Sequence, residues 1–202
     1  MKFKYYLGNN AGWAGFSVED KDIHLEYSIS YFMGDSLEEL LCCLIAFSGY
    51  NCHLNIVNNL IEKYLNEYDY SFKWTINQEG STIWFLFEKT EKNGIVNLRI
   101  IENYEEQKCV FNKDIFIDDF IKDILFSCNE MLQKYGIIGY YKNFWVEFPI
   151  SYYLMLKDYT NEKIKFGEIK EIIGEKEYEL FTTNIVAEIN YLKKYKSIPN
   201  VA

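Results

Sequence analysis

Residues 70–103 read YSFKWTINQEGSTIWFLFEKTEKNGIVNLRIIEN, and this stretch decides the fold. Apolar and polar residues alternate through three consecutive segments of it, which is the pattern of strands with one face in the core. Glu79-Gly80 and Asn93-Gly94 separate the segments, and Asn-Gly is typical of a tight hairpin turn. The stretch therefore predicts a three-stranded antiparallel meander. Its middle segment, 82–89, is apolar on both faces, which indicates a covered sheet.

Two more strands are predicted before the meander. Residues 2–7 form a short strand, and residues 23–31 alternate an apolar face with a polar face that carries His24 and Glu26. Between them, Gly8 to Gly15 is predicted to be a flexible glycine-rich loop that holds one large aromatic, Trp13. Trp13 there is either a plug over the core or an exposed contact residue.

Amphipathic helices are predicted on both sides of the meander. Apolar residues recur at helical spacing in 36–48, 54–66, 116–135, 149–156 and 175–195. Ser36 and Glu39 have the spacing of a capping box at the start of the first helix, and Gly136 suits the end of the third. Strands and helices together predict an α+β fold in a single domain over 1–202: an antiparallel sheet of the meander 70–103 plus the N-terminal strands, covered by amphipathic helices.

Composition and charge narrow the possible partners. The chain is 49% hydrophobic and 18% aromatic, and its formal net charge is -9. Aromatic richness of this kind fits either a heavy core or a contact surface. An acidic surface repels phosphate backbones and anionic headgroups, so we expect neither nucleic acid nor membrane as a partner. A cationic protein is favoured instead.

Cysteine usage and the N-terminus predict a cytoplasmic protein. The five cysteines are an odd number, and Cys42 and Cys128 fall among apolar residues of predicted helices, where a free thiol acts as a small hydrophobe. The apolar run after Met1 is too short for a signal peptide because Gly8 interrupts it. No stretch approaches the length of a membrane span.

The sequence offers little catalytic chemistry. His24 and His53 are the two histidines, and the spacing of cysteines and histidines does not predict a metal site. Cys52 beside His53 is a suggestive pair, but adjacent residues seldom face each other. Phosphate-binding glycine motifs are absent from the sequence. We therefore predict a protein without catalytic residues, metal or cofactor.

A candidate binding surface follows the meander. Acidic residues are concentrated there beside Tyr104 and Phe111, and an acidic rim around aromatic anchors suits a basic partner. With Trp13 from the glycine-rich loop, the predicted partner-binding residues are Trp13, Glu102, Tyr104, Glu105, Glu106, Asp114, Asp118 and Asp119. The alternative is that Asp114, Asp118 and Asp119 only complement the positive end of a helix dipole, and that Asp118, Asp119, Lys122 and Asp123 simply lie in water.

In size, acidity and aromatic content the whole chain resembles bacterial toxin-immunity proteins. Residues 31–37 and 72–80 are also similar to segments of bacterial α+β proteins, and a phage inhibitor of host defence would look alike. The resemblance implies a cytoplasmic inhibitor that binds a basic toxin or effector. One alternative is a small-molecule enzyme with a cleft under Trp13 or under residues 137–148. Another is a homodimer held by exposed aromatics.

Overall fold

In the computed structural model the chain folds as an α+β protein, and the structure describes residues 1–9, 11–33, 35–48, 71–78, 80–161, 167–173, 176–182 and 185–193. Internal contacts group Met1–Leu156 and Lys157–Ala202 into two compact units. The single domain over 1–202 stays a prediction. The predicted helix at 54–66 lies outside the described residues.

The N-terminal strands form a sheet of their own. Strands β1 (Lys2–Leu7), β2 (Trp13–Asp20) and β3 (Ile23–Ser30) are antiparallel in the order β1-β2-β3. The loop predicted at Gly8 to Gly15 is therefore wrong at its second half, because Trp13 to Gly15 pair with Ser28 to Ser30. Gly15 in this segment lets the Tyr6 side chain cross closely over β2.

The meander is confirmed and gains a fourth strand. Strands β4 (Ser71–Gln78), β5 (Ser81–Lys89), β6 (Ile95–Asn103) and β7 (Gln107–Phe116) are antiparallel neighbours in that order. The sequence did not predict β7. Lys113 interrupts the apolar alternation on its inward face, where the amine pairs with Asp20 of the small sheet.

Helix α1 (Ser36–Ser48) is confirmed, but its predicted cap is wrong. Asp35, one residue earlier, accepts the Glu38 N–H at 2.9 Å through Oδ1 and so acts as the N-cap. The Ser36 hydroxyl instead lies 3.1 Å from the Tyr5 hydroxyl in the core. The Ser36 side chain is therefore buried against Tyr5 of β1, and it does not cap the helix.

Helix α2 (Ile117–Phe144) has a break at Gly136, where φ is 67° and ψ is 177°. The predicted helix end is therefore a kink, after which the helix resumes. Phe120, Ile124, Cys128 and Met131 are buried as the predicted stripe requires. Phe116 is an exception at 60% exposure, because it ends β7 and precedes the helix.

A helix, a hairpin and a further helix in the C-terminal part of the chain complete the described elements. Helix α3 (Ile150–Asn161) starts after Pro149 as predicted. In the second unit, β8 (Gly167–Ile173) and β9 (Lys176–Thr182) form an antiparallel hairpin, followed by helix α4 (Ile185–Lys193). The helix predicted over 175–195 is thus wrong at 176–182, because pairing with β8 overrides the apolar spacing that looked helical.

The core of the first unit is an aromatic layer between the two sheets. Phe16 of β2 lies 5.4 Å from Trp74 of β4 and 5.3 Å from Phe85 of β5, measured between ring centroids. Phe3 contacts Phe120 of α2 at 5.0 Å. Much of the aromatic content is therefore core, and aromatic pairs of this kind add roughly 0.5–1.5 kcal/mol each beyond the area they bury.

Helix α2 also seals the edge of β1. The Phe3 N–H donates to Asp123 Oδ2 at 2.8 Å, and the Tyr5 N–H donates to Ser127 Oγ at 3.1 Å. Asp123 was expected in water, but it is half-buried and burial raises the pKa of its carboxyl. These contacts satisfy the backbone donors of an edge strand, which would otherwise be open to pairing.

Candidate functional site

A groove opens on the first unit where the small sheet meets the ends of two strands of the large sheet. Its volume is about 420 Å³, within the range of ligand pockets. Three aromatic rings and two carboxylates dominate its lining, which consists of Trp13, Glu26, Tyr27, Ser28, Ser30, Gln78, Glu102 and Tyr104. We refer to these eight residues as the groove.

One wall of the groove comes from β2 and β3. Trp13 opens β2 opposite Ser30 and is 41% exposed. Its carbonyl accepts the Gly8 N–H at 2.8 Å, which fixes the backbone that carries the indole. Glu26 and Ser28 follow on the polar face of β3, as the alternation of that strand dictates.

Glu26 is held by a tyrosine that crosses the small sheet. Tyr6 of β1 donates its hydroxyl to Glu26 Oε1 on β3, and the ring passes over Gly15 on the strand between them. A Cβ at Gly15 would lie 2.7 Å from the Tyr6 ring, so only glycine permits the crossing. Burial and the Glu26 bond raise the pKa of Tyr6 to about 12. The phenol therefore stays protonated and orients the carboxylate without neutralising it.

Glu102 is held in the same way from the other sheet. The Tyr27 hydroxyl donates to Glu102 Oε1 at 2.8 Å. Tyr27 is 6% exposed, and burial, followed by the bond to Glu102, raises the pKa of its phenol far above the ordinary value. Lys108 of β7 lies opposite Glu102 on the neighbouring strand. Its side chain is exposed, and an ion pair with Glu102 is not among the described contacts.

Gln78 joins the two sheets at the groove. Its Nε2 donates to the Ser28 carbonyl at 2.8 Å, and its Oε1 accepts from the Ser81 hydroxyl at 3.3 Å. The end of β4 is thereby tied to the edge of β3. The groove is preorganised, since hydrogen bonds hold Glu26, Glu102 and Gln78 before any ligand arrives.

An aromatic rim, formed by the half-buried Tyr31 and the exposed Phe32 and Trp145, lies next to the groove. The Tyr31 ring lies 3.9 Å from the Phe32 ring and 4.6 Å from the Trp145 ring, measured between centroids. Phe32 is 78% exposed and Trp145 is 50% exposed. Gly12, directly before Trp13, is enclosed by the rim: a Cβ there would lie 2.9 Å from Tyr31 and 3.0 Å from Trp145.

The structure brings together only part of the predicted binding set. Trp13, Glu102 and Tyr104 line the groove, and Tyr104 is 58% exposed on the turn between β6 and β7. Glu105 and Glu106 are exposed on the same turn.

The other predicted acids lie at the far end of the large sheet. Asp114 is paired with Asn97, six residues along β6 from Asn103, which places it roughly 20 Å from the Tyr104 turn. Asp118 and Asp119 are exposed in the first turn of α2. The expected acidic rim is thus divided because β7 separates its two halves. Phe111, expected as an anchor, is 2% exposed and belongs to the core.

Sequence reasoning did not identify Glu26, Tyr27, Ser28, Ser30 and Gln78 as site residues. The alternation of β3 predicts its polar face, but such a pattern by itself indicates only the solvent-exposed face of a strand. Which residues of the large sheet oppose that face depends on how the two sheets pack. That packing has no signal in a single sequence.

Metal-binding clusters and membrane-spanning helices are both absent from the described residues. Within them, groups of three or more His, Cys, Asp or Glu placed to hold a metal ion are not found. Cys42 and Cys43 are buried, Cys128 is a buried free thiol and Cys109 is an exposed one, while Cys52 and His53 lie outside the described residues. None of the described helices is both long and apolar enough to cross a bilayer.

Comparison with known proteins adds no relative: the sequence matches no family model and no curated protein, and the fold matches no solved structure.

Proposed function

We propose that this chain is a non-enzymatic binding protein that neutralises a toxin or another effector by direct association. Its contact surface is the groove, the aromatic rim and the acidic turn at Glu105-Glu106. The observation that carries the proposal is the union of two held carboxylates and large exposed aromatics at one place. The proposal includes a cytoplasmic location, which suits the buried free thiol at Cys128.

The aromatic residues supply the affinity. Phe32, Trp145, Tyr104 and Trp13 are exposed between 41% and 78%. Trp and Tyr are enriched among interface residues that dominate binding energy, and truncating such an anchor costs about 2 kcal/mol or more. Because Gly12 and the ring contacts position the rim, little side-chain entropy is lost on binding.

The acidic residues supply steering toward a basic partner. The net charge is -9, and Glu26, Glu102, Glu105 and Glu106 add local negative charge at the groove. Complementary potentials raise association rates and make them salt-dependent. A basic effector is therefore attracted to the face on which the anchors lie.

The test begins with an affinity pull-down from the native host, using the whole chain as bait. The captured protein is then purified, and its association with variants is measured by surface plasmon resonance across salt concentrations. Trp13→Ala is expected to weaken binding about 30-fold or more through faster dissociation. Co-expression must also relieve the growth defect that the captured protein causes.

A matched pair of charge variants isolates the steering. Glu105→Gln with Glu106→Gln removes two charges at the groove, and Asp118→Asn with Asp119→Asn removes two at the far end. The first pair is expected to slow association several-fold at low salt, and the second to leave it nearly unchanged. Equal effects of both pairs, or no effect of Trp13→Ala, would refute the proposed surface.

Self-association is the second candidate, favoured by the exposure of Phe32 and Trp145. A homodimer through the rim predicts a solution mass of twice 24.1 kDa that returns to the monomer value in Phe32→Ser. A monomer at micromolar concentration removes this candidate and leaves the rim for a different protein. The enzymatic alternative near Trp13 stays a prediction, to be tested by turnover screening.

A further inference from the structure

We propose that the groove is a receptor for a guanidinium group, the side chain of an arginine on the partner. In the bound complex the plane of the guanidinium stacks on Trp13 or Tyr104, and its N–H groups donate to Glu26 and Glu102. This inference rests on the proposed function, because it names the chemical group by which that surface recognises its basic partner.

The two carboxylates are held but not neutralised. Tyr6 and Tyr27 each donate one hydroxyl to the Oε1 atom of Glu26 and Glu102, respectively. A phenol donor leaves the full negative charge in place and leaves Oε2 as an acceptor. His24, on the same polar face of β3, is the basic side chain in contact with Glu26, with Nε2 3.9 Å from Oε2, and both side chains are 61% exposed.

The lining as described supplies no cation of its own. All eight lining residues are aromatic, acidic or neutral and polar. Arg99 pairs with Glu88, Lys113 with Asp20 and Lys4 with Glu130. The basic neighbours of the groove acids lie outside its lining: His24 is in contact with Glu26, and Lys108 is opposite Glu102 in register. Two oriented carboxylates that face a common groove are therefore a place for a positive charge from outside.

The aromatic rings favour guanidinium over ammonium. Arg is planar, weakly hydrated and able to stack on a ring while its five donors bond carboxylates, whereas a Lys ammonium is compact and strongly hydrated. Trp13 and Tyr104 are both substantially exposed and lie on the same groove as the acids. The volume of about 420 Å³ admits one long side chain together with the backbone that carries it.

The test uses small arginine probes on the full-length chain. Backbone and indole N–H resonances are followed by two-dimensional NMR during titration with acetyl-arginine amide, acetyl-citrulline amide and acetyl-lysine amide. Citrulline has the shape of arginine without the charge. The Trp13 indole signal is assigned from its loss in Trp13→Phe.

The expected result is a saturable shift of the Trp13 indole and Gln78 side-chain signals with the arginine probe. Affinity is expected to fall at least about threefold for lysine and about tenfold for citrulline. Glu102→Gln and Glu26→Gln should each weaken arginine binding several-fold, while Asp118→Asn with Asp119→Asn should not. Circular dichroism of each variant confirms that it is folded.

The inference is overturned if the arginine probe does not bind, if citrulline or lysine binds as well as arginine, if the shifts map to the far end of the large sheet, or if affinity is unchanged in Glu102→Gln. The proposed function is judged separately. If a protein partner binds in a Trp13-dependent way but the arginine probe does not bind, only the guanidinium receptor is contradicted. Arginine binding in the groove with no effector partner sinks the neutralising function alone.

Discussion

Tyr140→Phe is predicted to stabilise the first unit. Tyr140 lies in the second half of α2 at 0% exposure, with its ring edge-on to Phe148 at 5.2 Å and to Phe144 at 5.8 Å. Its hydroxyl has no hydrogen-bond partner among the described residues. Burial, reinforced by Tyr5, Asp35 and Cys128, raises the pKa of the phenol, so it is neutral at every physiological pH.

The magnitude follows from the cost of a buried hydroxyl that lacks a partner. That cost is about 1–3 kcal/mol, and phenylalanine removes it while the ring contacts remain. Deleting the oxygen also leaves a small void, which offsets part of the gain. We therefore expect the free energy of unfolding to rise by about 1–2 kcal/mol.

Tyr5→Phe is the matched control, because the same atom is removed from a phenol that does have a partner. Tyr5 is 1% exposed, and its hydroxyl lies 3.1 Å from Ser36 Oγ. Its loss leaves the buried serine hydroxyl without that bond, at a cost of about 1–3 kcal/mol. The two variants should thus differ in sign.

Urea unfolding followed by tryptophan fluorescence measures both variants. All four tryptophans, Trp13, Trp74, Trp84 and Trp145, lie in the first unit, so the signal reports that unit. A lower urea midpoint for Tyr140→Phe, as expected for Tyr5→Phe, would contradict the prediction that removing the Tyr140 hydroxyl stabilises the unit. That result would mean that the Tyr140 hydroxyl is bonded in solution.

Three further predictions concern the frame around the groove and α1. Burial, only partly offset by the bond from the Glu38 N–H, raises the pKa of Asp35 to about 6, so a proton binds more tightly in the folded state. Wild type should therefore gain about 2–3 kcal/mol of stability from Asp35 as the pH falls from 7 to 4. Asp35→Asn keeps a neutral cap, so it should be more stable than wild type at pH 7 and equal to it near pH 4. Urea titrations at each pH measure both proteins. Ser127→Ala should lose about 1–3 kcal/mol in the same assay because the Tyr5 N–H is left without its acceptor, whereas Ser127→Thr should retain part of it. Gly15→Ala should displace the Tyr6 ring and expose its hydroxyl, seen as a Tyr6 phenol that titrates nearer its ordinary pKa by ultraviolet difference spectroscopy; an unchanged titration would contradict the crossing.

The sequence predicted the meander well because its signals are local. Alternation over 70–103 and glycines with positive φ at Gly80 and Gly94 are enough to define strands and turns. It failed at β7, where the inward face carries Lys113, and at β9, where a strand partner overrides helical spacing. In both places a contact distant in sequence decides the local structure.

The site was predicted only in the residues that stand out by type. Trp13 stands out as a large aromatic among glycines, Tyr104 as a large aromatic in an acidic turn, and Glu102 as an acid close to Tyr104 in the sequence. Glu26 and Gln78 carry no such mark, because their role depends on the packing of the two sheets. A single sequence contains alternation and turns, but it does not contain the angle and offset between sheets.

The two edges of the small sheet differ in a way that favours β3 as the binding side. At β1, Asp123 and Ser127 of α2 occupy the N–H groups of Phe3 and Tyr5, so that edge is closed by the fold itself. At β3, the contact that the described residues supply is the Gln78 amide on the Ser28 carbonyl, at the groove. The exposed anchors beside this edge, among them Tyr104 at 58% exposure, contribute little to the core, and the groove can therefore change to suit a partner without loss of the fold. It follows that groove variants should alter association far more than stability, the reverse of what Ser127→Ala should do.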